Sequence, residues 1–366
     1  MAKTLQQILG AKNLTGVIKG VAPGIPQDIL PPAFLKPTRT VEGDYCTYRK
    51  VDGTRKTARL AQYGAPSRTR SLKGVSEVPV KLVHSIESMQ HTPATLMNLT
   101  NMADENRQKL GIQEVTRQTR DFKDLFVNLR YASVYAMLAA GVIYFDVDGE
   151  LLPDSTGAFT TVDAQVPSGN KDQLDVFGDG AIIAASWATA GTAINTQISN
   201  LKIAARKKTG YPLRQAFYGN NILNYFLGNT KLKELINRNA GYQVAAAGGE
   251  IPQGFLGLNW TPVQEAFYED ADGEYQEFFG GDTVVFTPDP SPDWYEFIEG
   301  TYPVAGDIGK VAADAVAALR SIKIESGMFS FATVTSDPAG IKQVAGDTFL
   351  PMIKVPGAVF MADVTP

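Results

Sequence analysis

The sequence has little of the chemistry that most enzymes and secreted domains use. Its 366 residues include one cysteine, Cys46, and two histidines, His84 and His91. A single cysteine excludes an intrachain disulfide framework and a zinc site built from several cysteines. The longest apolar run, near residues 135–145, is shorter than the ~18 residues of a membrane-spanning helix. The sequence therefore predicts a soluble, unsecreted protein without a membrane segment.

Motifs for catalysis and ligand binding are missing or incomplete. The two histidines are seven residues apart, whereas a helical metal pair has a spacing nearer four. Asp146-Val-Asp148-Gly149 and Asp270-Ala-Asp272-Gly273 place glycine fourth, but a calcium loop needs it at the sixth position, so hairpin turns explain both better. No Gly-x-Ser-x-Gly elbow occurs. We expect no metal, no cofactor and no enzymatic activity.

Charge is distributed unevenly along a chain whose net charge is only −4. Residues 241–366 contain 5 basic and 18 acidic side chains, whereas residues 1–240 contain 29 basic and 20 acidic ones. Residues 36–81 alone carry 11 basic and 4 acidic side chains. Such asymmetry indicates a charged partner, which can be another copy of the chain.

A basic β-hairpin is predicted over residues 45–60, because Asp52-Gly53 is a strong turn signal between two β-prone runs. It has few core residues, which indicates that it projects from the body. The hairpin and the Gly/Ser/Pro-rich segment after it contain the candidate contact residues Arg49, Lys50, Arg55, Lys56, Arg59, Arg68 and Arg70. Two interpretations remain open: a solvated charged loop and a contact with an anionic surface.

An extended N-terminal arm is predicted because five prolines lie between residues 23 and 37. Apolar residues alternate with these prolines, and a free linker would be more polar. One interpretation places the arm on its own domain. The other places it on a neighbouring subunit, with Ile25, Leu30 and Phe34 as assembly contacts.

The remaining chain mixes helices with antiparallel hairpins. Apolar residues at three- and four-residue steps over 102–141 predict a long helix that stops at Gly141. Gly111 is a weak point in it, which leaves two alternatives open, one continuous helix and two collinear helices. A second hairpin is predicted at 142–167, helices at 192–209, 221–227 and 231–237, and strands at 254–260, 263–268, 275–279, 283–287, 328–334 and 350–364. This pattern is typical of an α+β fold rather than a doubly wound sheet.

The order of these parts resembles the major capsid proteins of tailed phages with the HK97-like fold, in particular the lambda-type branch, the phage major capsid protein E family. The C-terminal part carries the resemblance best, through Gly327-Met-Phe-Ser-Phe331, Ser336-Asp-Pro-Ala339 and Phe349-Leu-Pro-Met-Ile-Lys-Val-Pro-Gly-Ala-Val-Phe-Met-Ala-Asp-Val364. Two further stretches are similar, Ala58-Arg-Leu-Ala-Gln-Tyr63 and Lys207-Lys-Thr-Gly-Tyr-Pro212. The similarity in organisation spans nearly the whole chain.

This resemblance implies a domain organisation. Residues 1–41 would be the N-terminal arm and 42–83 the extended loop. Residues 84–169 would form a peripheral domain with the long helix as its spine, residues 170–320 an axial domain, and residues 321–366 C-terminal strands that return to the peripheral domain.

The resemblance also implies a function. The chain would be a non-catalytic major capsid protein that self-assembles, through hexamers and pentamers, into the icosahedral shell around the phage genome. Its partners would be scaffolding, portal and possibly decoration proteins and, on the inner face, packaged double-stranded DNA, without a membrane. It would reside in the virion after assembly in the host bacterial cytoplasm. The alternatives are an encapsulin-like compartment shell and, less favoured, a nucleic-acid-binding protein.

Overall fold

The computed structural model of the chain describes residues 8–23, 30–43, 45–50, 76–100, 105–147, 149–263, 267–269, 273–277, 280–305, 322–336 and 339–365. The helices in these ranges are Ala11–Gly20, Pro93–Thr100, Glu105–Ala140, Ile194–Lys208, Ile222–Gly228, Thr230–Asn237 and Ala240–Ala247. Together with several sheets they confirm the predicted α+β class. Within the described ranges, none of the helices has the length and apolar character needed to cross a bilayer.

The strands follow in chain order. They are β1 (Arg39–Val41), β2 (Tyr45–Lys50), β3 (Ser76–Lys81), β4 (Val83–Gln90), β5 (Val142–Phe145), β6 (Leu151–Leu152), β7 (Thr160–Asp163), β8 (Lys171–Asp172), β9 (Gln215–Tyr218), β10 (Asn259–Pro262), β11 (Phe267–Glu269), β12 (Tyr275–Glu277), β13 (Thr283–Thr287), β14 (Tyr295–Ala305), β15 (Ile322–Ser326), β16 (Phe329–Ser336), β17 (Ala339–Ile353) and β18 (Phe360–Asp363).

The larger sheet has six strands and is organised around β17. The first part of β17 pairs antiparallel with β16 and its last part with β14, while β4 lies along its other edge. Strand β1 adds to β14 in parallel and β15 adds to β14 antiparallel. The long helix Glu105–Ala140 packs against this sheet, so the sheet joins segments from both ends of the chain.

The second sheet has five strands in the order β10-β9-β13-β18-β8. The outer pairs, β10 with β9 and β18 with β8, are parallel, and the inner pairs are antiparallel. The sequence did not predict these two parallel pairs. Their partners are far apart in the sequence, and no short turn signal marks a parallel pair.

Two hydrophobic cores lie on opposite faces of the five-stranded sheet. Along β18, Val359 and Met361 belong to the core that contains the end of the long helix. Phe360, Ala362 and Val364 belong to the core that contains helix Ile194–Lys208. Because successive strand residues point to opposite faces, one strand serves both cores. The two regions are thus joined through a shared sheet.

Two strands pair in a different sheet from the rest of the segment in which the sequence places them. Strand β14 falls within the expected axial segment 170–320 but pairs with β17 in the six-stranded sheet. Strand β18 falls within the expected returning segment 321–366 but pairs with β13 in the five-stranded sheet. Long-range strand pairing decides both placements, and no composition change in the sequence marks them.

The long helix runs unbroken through 36 residues, Glu105–Ala140. Of the two alternatives left open at Gly111, the structure has the continuous helix, and the glycine has a packing role. A Cβ at Gly111 would lie 3.0 Å from two side-chain carbons of Leu99, on the preceding helix Pro93–Thr100. The predicted stop is confirmed, since Gly141 has φ +72° and its N–H donates to the carbonyl of Met137.

A buried ion cluster joins the long helix to the larger sheet. The guanidinium of Arg130 donates to both carboxylate oxygens of Asp347, over 2.5 and 2.6 Å, and to Glu299 over 3.1 Å. Its Cζ also lies 5.2 and 5.5 Å from the ring centroids of Phe297 and Phe349. Burial opposes the charge on Arg130, but the two carboxylates outweigh burial and raise the pKa of this arginine.

Candidate assembly interface

The base of the basic loop is a two-stranded ribbon. Strand β2 pairs antiparallel with β3, from Tyr45 opposite Lys81 to Lys50 opposite Ser76. This partner was not predicted from the sequence. The predicted partner run 54–60 and the Asp52-Gly53 turn lie outside the described residues.

The structure places few of the predicted loop contacts. The backbones of Arg49 and Lys50 lie in β2, opposite Glu77 and Ser76. The other five predicted contacts lie outside the described residues: Arg55, Lys56, Arg59, Arg68 and Arg70. Their role in assembly stays a prediction.

The described part of the N-terminal arm lies on its own chain. Helix Ala11–Gly20, which was not predicted, buries Leu14 in a cluster with Leu99 and Val115. Further along this helix, the hydroxyl of Thr15 donates to the carbonyl of Ser330 over 3.0 Å. Of the two interpretations left open for the arm, these contacts support the intrachain one for this helix.

Two of the three predicted arm contacts are also buried within the chain, and the third, Ile25, lies outside the described residues. Leu30 is 1% and Phe34 0% exposed. The Phe34 ring packs edge-on against Phe217, Trp294 and Tyr295, at centroid distances of 5.7, 6.1 and 5.2 Å. Because Leu30 and Phe34 are packed in the core of the single chain, neither exposes a surface that could contact a neighbouring subunit.

An open groove runs between β4, the long helix and the small sheet β6-β5-β7. It consists of two adjoining hollows of about 390 and 410 Å³ that share Ser85, Leu129 and Gly149. Large apolar side chains line it and remain exposed, among them Leu125 (56%), Val147 (73%) and Phe159 (75%). So much exposed apolar surface is typical of a surface that another polypeptide covers.

The groove is also acidic. Three exposed glutamates line its second hollow, Glu87, Glu150 and Glu269, and Lys81 lines the first hollow. By contrast, residues 51–75 at the end of the ribbon carry six basic side chains and one acidic side chain. We name this surface the acidic groove. Its charge is opposite to that of the loop, which is the condition for mutual attraction between copies.

Part of the charge asymmetry corresponds to ion pairs within the chain. Basic residues of the N-terminal part pair with acids of the C-terminal third: Lys19 with Glu325 at 3.4 Å, and Arg130 with Glu299 at 3.1 Å and Asp347 at 2.5 Å. The prediction assigned the asymmetry to contacts between copies. The structure assigns part of it to intrachain pairing, because the two ends of the chain share one sheet.

The two histidines lie in different surroundings. His84 contacts Thr348, with 2.7 Å between Nδ1 and Oγ1, and its ring stacks on Tyr302. His91 is 2% exposed, and neither of its ring nitrogens hydrogen-bonds to a described residue. In the described ranges, no group of three or more His, Cys, Asp and Glu side chains could hold a metal ion.

We expect His91 to make the folded subunit sensitive to acid. Burial lowers the pKa of His91 below its ordinary value of 6.5, and Gln118 and Glu114 oppose the shift only in part. The fold therefore favours the neutral ring. Stability should be complete above the ordinary pKa and fall as the pH drops through it, because protonation then favours unfolding.

Urea unfolding of wild type and His91→Gln at pH 7.5 and pH 5 measures this effect. The variant should lose less stability than wild type between the two pH values. Gln90→Ala, at an exposed uncharged residue next to His91 in the chain, is the control and should keep the wild-type loss. Equal losses in wild type and His91→Gln would contradict the assignment.

Sequence reasoning missed the acidic groove and the Arg130 cluster. The glutamates of the groove come from three distant segments, so no local signal connects them. The position of Arg130 in the sequence could have indicated the cluster. It lies four residues after Phe126 and four before Val134, in the middle of the buried face of the helix. A charged residue at such a position indicates a buried partner.

Comparison with known proteins found a family model and several solved structures that are similar to this chain. A family model described as phage major capsid protein E matches residues 11–364. A phage-related protein from Bordetella bronchiseptica RB50 is similar in structure, with a TM-score of 0.50, 14% identity and coverage of 97% of both chains. This similarity shows a shared fold.

Two further structures are similar at lower scores. A putative prophage capsid protein from E. coli CFT073 has a TM-score of 0.46 and 14% identity, with 80% of both chains covered. The capsid of the cyanophage P-SCSP1u has a TM-score of 0.42 and 14% identity, with 94% of this chain and 90% of that chain covered. No curated protein matches the sequence significantly.

Proposed function

Because the chain belongs to the phage major capsid protein E family and is a structural protein of the phage head shell, we propose that its copies assemble by laying the basic loop of one subunit in the acidic groove of the next. The observation that carries this proposal is the opposite charge of the two surfaces. Residues 51–75 have a net charge of +5, and three exposed glutamates line the second hollow of the groove.

Charge and apolar surface have different roles in this contact. Opposite charges increase the rate of encounter and select the register in which the surfaces meet. The apolar lining, including Leu125 and Phe159, supplies most of the affinity, at roughly 25 cal/mol for each Å² removed from water. A loop and a groove on every copy make a head-to-tail contact, which closes into rings.

Reversing the charge of the loop tests the proposal. We expect the triple variant Arg55→Glu, Lys56→Glu, Arg59→Glu to remain folded by circular dichroism but to form no regular shells by electron microscopy. Lys231→Glu, Lys233→Glu, Arg238→Glu changes the net charge equally at another surface. This control should assemble.

Reversing the groove provides the complementary test. Glu87→Lys, Glu150→Lys, Glu269→Lys should also block assembly, because like charges then face each other. Both triple changes in one chain should restore shells, since the attraction is rebuilt with opposite sign. Normal shells from either triple variant alone would show that this pair of surfaces is not the contact.

The same proposal extends to the organisation and partners of the shell. Residues 42–83 act as the extended loop of an HK97-like subunit, the six-stranded sheet with the long helix as the peripheral part, and the second core as the axial part. The copies form hexamers and pentamers of an icosahedral shell, with scaffolding, portal and decoration proteins as partners. Packaged double-stranded DNA touches the inner face without sequence specificity.

The proposed role is structural rather than catalytic, and assembly takes place in the cytoplasm of the host bacterium before the protein becomes part of the virion. The family match favours a phage head over an encapsulin-like compartment. A nucleic-acid-binding role for the basic loop would instead give salt-sensitive DNA binding by unassembled subunits.

A further inference from the structure

The two strands of the ribbon are attached to the body in different ways. Strand β3 leads through Leu82 directly into β4, which is held in the six-stranded sheet by pairing with β17. Strand β2 instead follows β1 after a turn at Gly43, whose φ is +90°. Both strands are thus joined to strands of the large sheet, since β1 pairs with β14 there, but the outgoing strand is joined through a turn and gains a further attachment from a side chain.

Arg39 provides that attachment. It is the first residue of β1, and its Nε donates to Glu296 on β14 over 3.1 Å. Its Nη2 donates to the carbonyl of Thr47 on β2 over 3.1 Å and lies 3.5 Å from Sγ of Cys46. One guanidinium thus links the body to the outgoing strand of the ribbon.

Glu296 is held in place independently of Arg39. Its second carboxylate oxygen accepts a hydrogen bond from Nζ of Lys354 over 2.8 Å. The same Nζ donates to the carbonyl of Pro292 over 2.7 Å. The carboxylate therefore has a defined position, and the planar guanidinium transfers that position to the ribbon.

The described side chains of the ribbon also contact the body at Cys46, which belongs to its hydrophobic core. Among the ribbon side chains whose exposure the structure describes, Cys46 alone is buried, at 1% exposure, and Val80 opposite it is half-buried. Tyr45 and Thr47, on either side of Cys46, are exposed. The ribbon thus leaves the body at Cys46, next to the Arg39 contact.

From this geometry we propose that Arg39 is a positioning residue that sets the direction in which the ribbon leaves the subunit. The inference rests on the proposed function, because the ribbon is the base of the loop that would reach the next copy. A direction set within each subunit lets every copy present its loop at the same angle. A closed shell with a single repeated contact requires this.

The thiol of Cys46 offers a direct test, since it is the only cysteine in the chain and is buried beside Arg39. Its rate of reaction with a disulfide reagent such as DTNB, in unassembled full-length subunits, reports how often the base of the ribbon opens. We expect Arg39→Ala to raise this rate by about tenfold, because a hydrogen-bonded charge no longer holds β2. Arg39→Lys should give an intermediate rate, because an ammonium cannot form the same forked contact.

A change in thiol acidity cannot produce the expected increase. Burial raises the pKa of the Cys46 thiol and Arg39 lowers it. Removal of Arg39 therefore leaves less of the reactive thiolate, which by itself would slow the reaction. Arg117→Ala, which removes an exposed arginine of the long helix, is the charge-matched control and should react at the wild-type rate.

Electron microscopy of the assembly products is the second measurement. Arg39→Ala should give irregular or unclosed shells, while its urea unfolding midpoint stays near that of wild type. Regular shells, or a wild-type labelling rate, would overturn the positioning role. Labelling is measured before assembly, so it remains informative even if the charge-reversal experiments reject the contact between loop and groove.

Discussion

Arg130→Ala should lower the free energy of unfolding of the subunit by about 3–5 kcal/mol. The substitution removes the guanidinium that Asp347 and Glu299 share and leaves Asp347, which is 0% exposed, as an unpaired buried charge. Urea unfolding of the unassembled subunit, followed by tryptophan fluorescence, measures the loss.

Two further variants separate the possible causes of that loss. Arg130→Lys keeps the charge but not the pair of parallel hydrogen bonds to Asp347, so an intermediate loss is expected. Arg117→Ala removes an arginine from the same helix whose partners, Glu114 and Asp121, are exposed to solvent, and it should leave the unfolding curve nearly unchanged. A small effect of Arg130→Ala would mean that the cluster does not hold the helix to the sheet.

Phe34→Ala should destabilise the subunit to a similar extent, about 3–5 kcal/mol. The ring is fully buried among Phe217, Trp294 and Tyr295, so its removal leaves a cavity in the core. The backbone carbonyl of Phe34 also accepts a hydrogen bond from the Tyr295 hydroxyl over 2.9 Å. Thermal unfolding of unassembled subunits tests this value.

The same measurement separates the two interpretations of the arm. An arm residue that contacts only a neighbour would leave the stability of the unassembled subunit unchanged and would alter assembly alone. Phe159→Ala is the matched control, because this phenylalanine is 75% exposed and its removal should cost less than about 0.5 kcal/mol. A stable Phe34→Ala subunit that fails to assemble would restore the intersubunit interpretation.

Elements with a local signal were predicted well. The long helix, described from Glu105, ends at the expected glycine, because a buried helix face repeats every three or four residues and Gly141 provides the left-handed stop. Strand Thr283–Thr287 has the expected bounds. Helix Ala240–Ala247 was missed because none of its side chains is buried, so it has no apolar face.

The longest strands had no such signal. Strand β17 was predicted only at its end and β14 not at all, although they form the centre of the larger sheet. Glycines interrupt their pattern, and two of these glycines have a tertiary cause. A Cβ at Gly346 would lie 2.4 Å from the ring of Phe329, and one at Gly300 would lie 2.3 Å from Thr348. Such close approaches exist only after distant strands have paired.

The two surfaces of the candidate interface also differ in whether the sequence predicts them. The basic loop was visible in the sequence, because its charges lie close together along the chain. The acidic groove was not, since Glu87, Glu150 and Glu269 come from three segments that only folding brings together. Phe34 was predicted as an arm contact from its apolar character, but composition does not distinguish a residue of the intrachain core from one that covers a neighbour.

Composition and local patterns show which reactive groups this protein has: one cysteine, two histidines and no catalytic motif. They also show a chain that is basic in its N-terminal part and acidic in its C-terminal part. The same patterns determine the α+β class and the long helix, because these depend on residues near one another. The charges that pair within the chain, the strands that contribute to both cores and the position of the exposed groove become evident in the folded chain. The physical reason is that burial and pairing depend on distances in space, and strands as far apart in sequence as β4 and β17 become neighbours only in the fold.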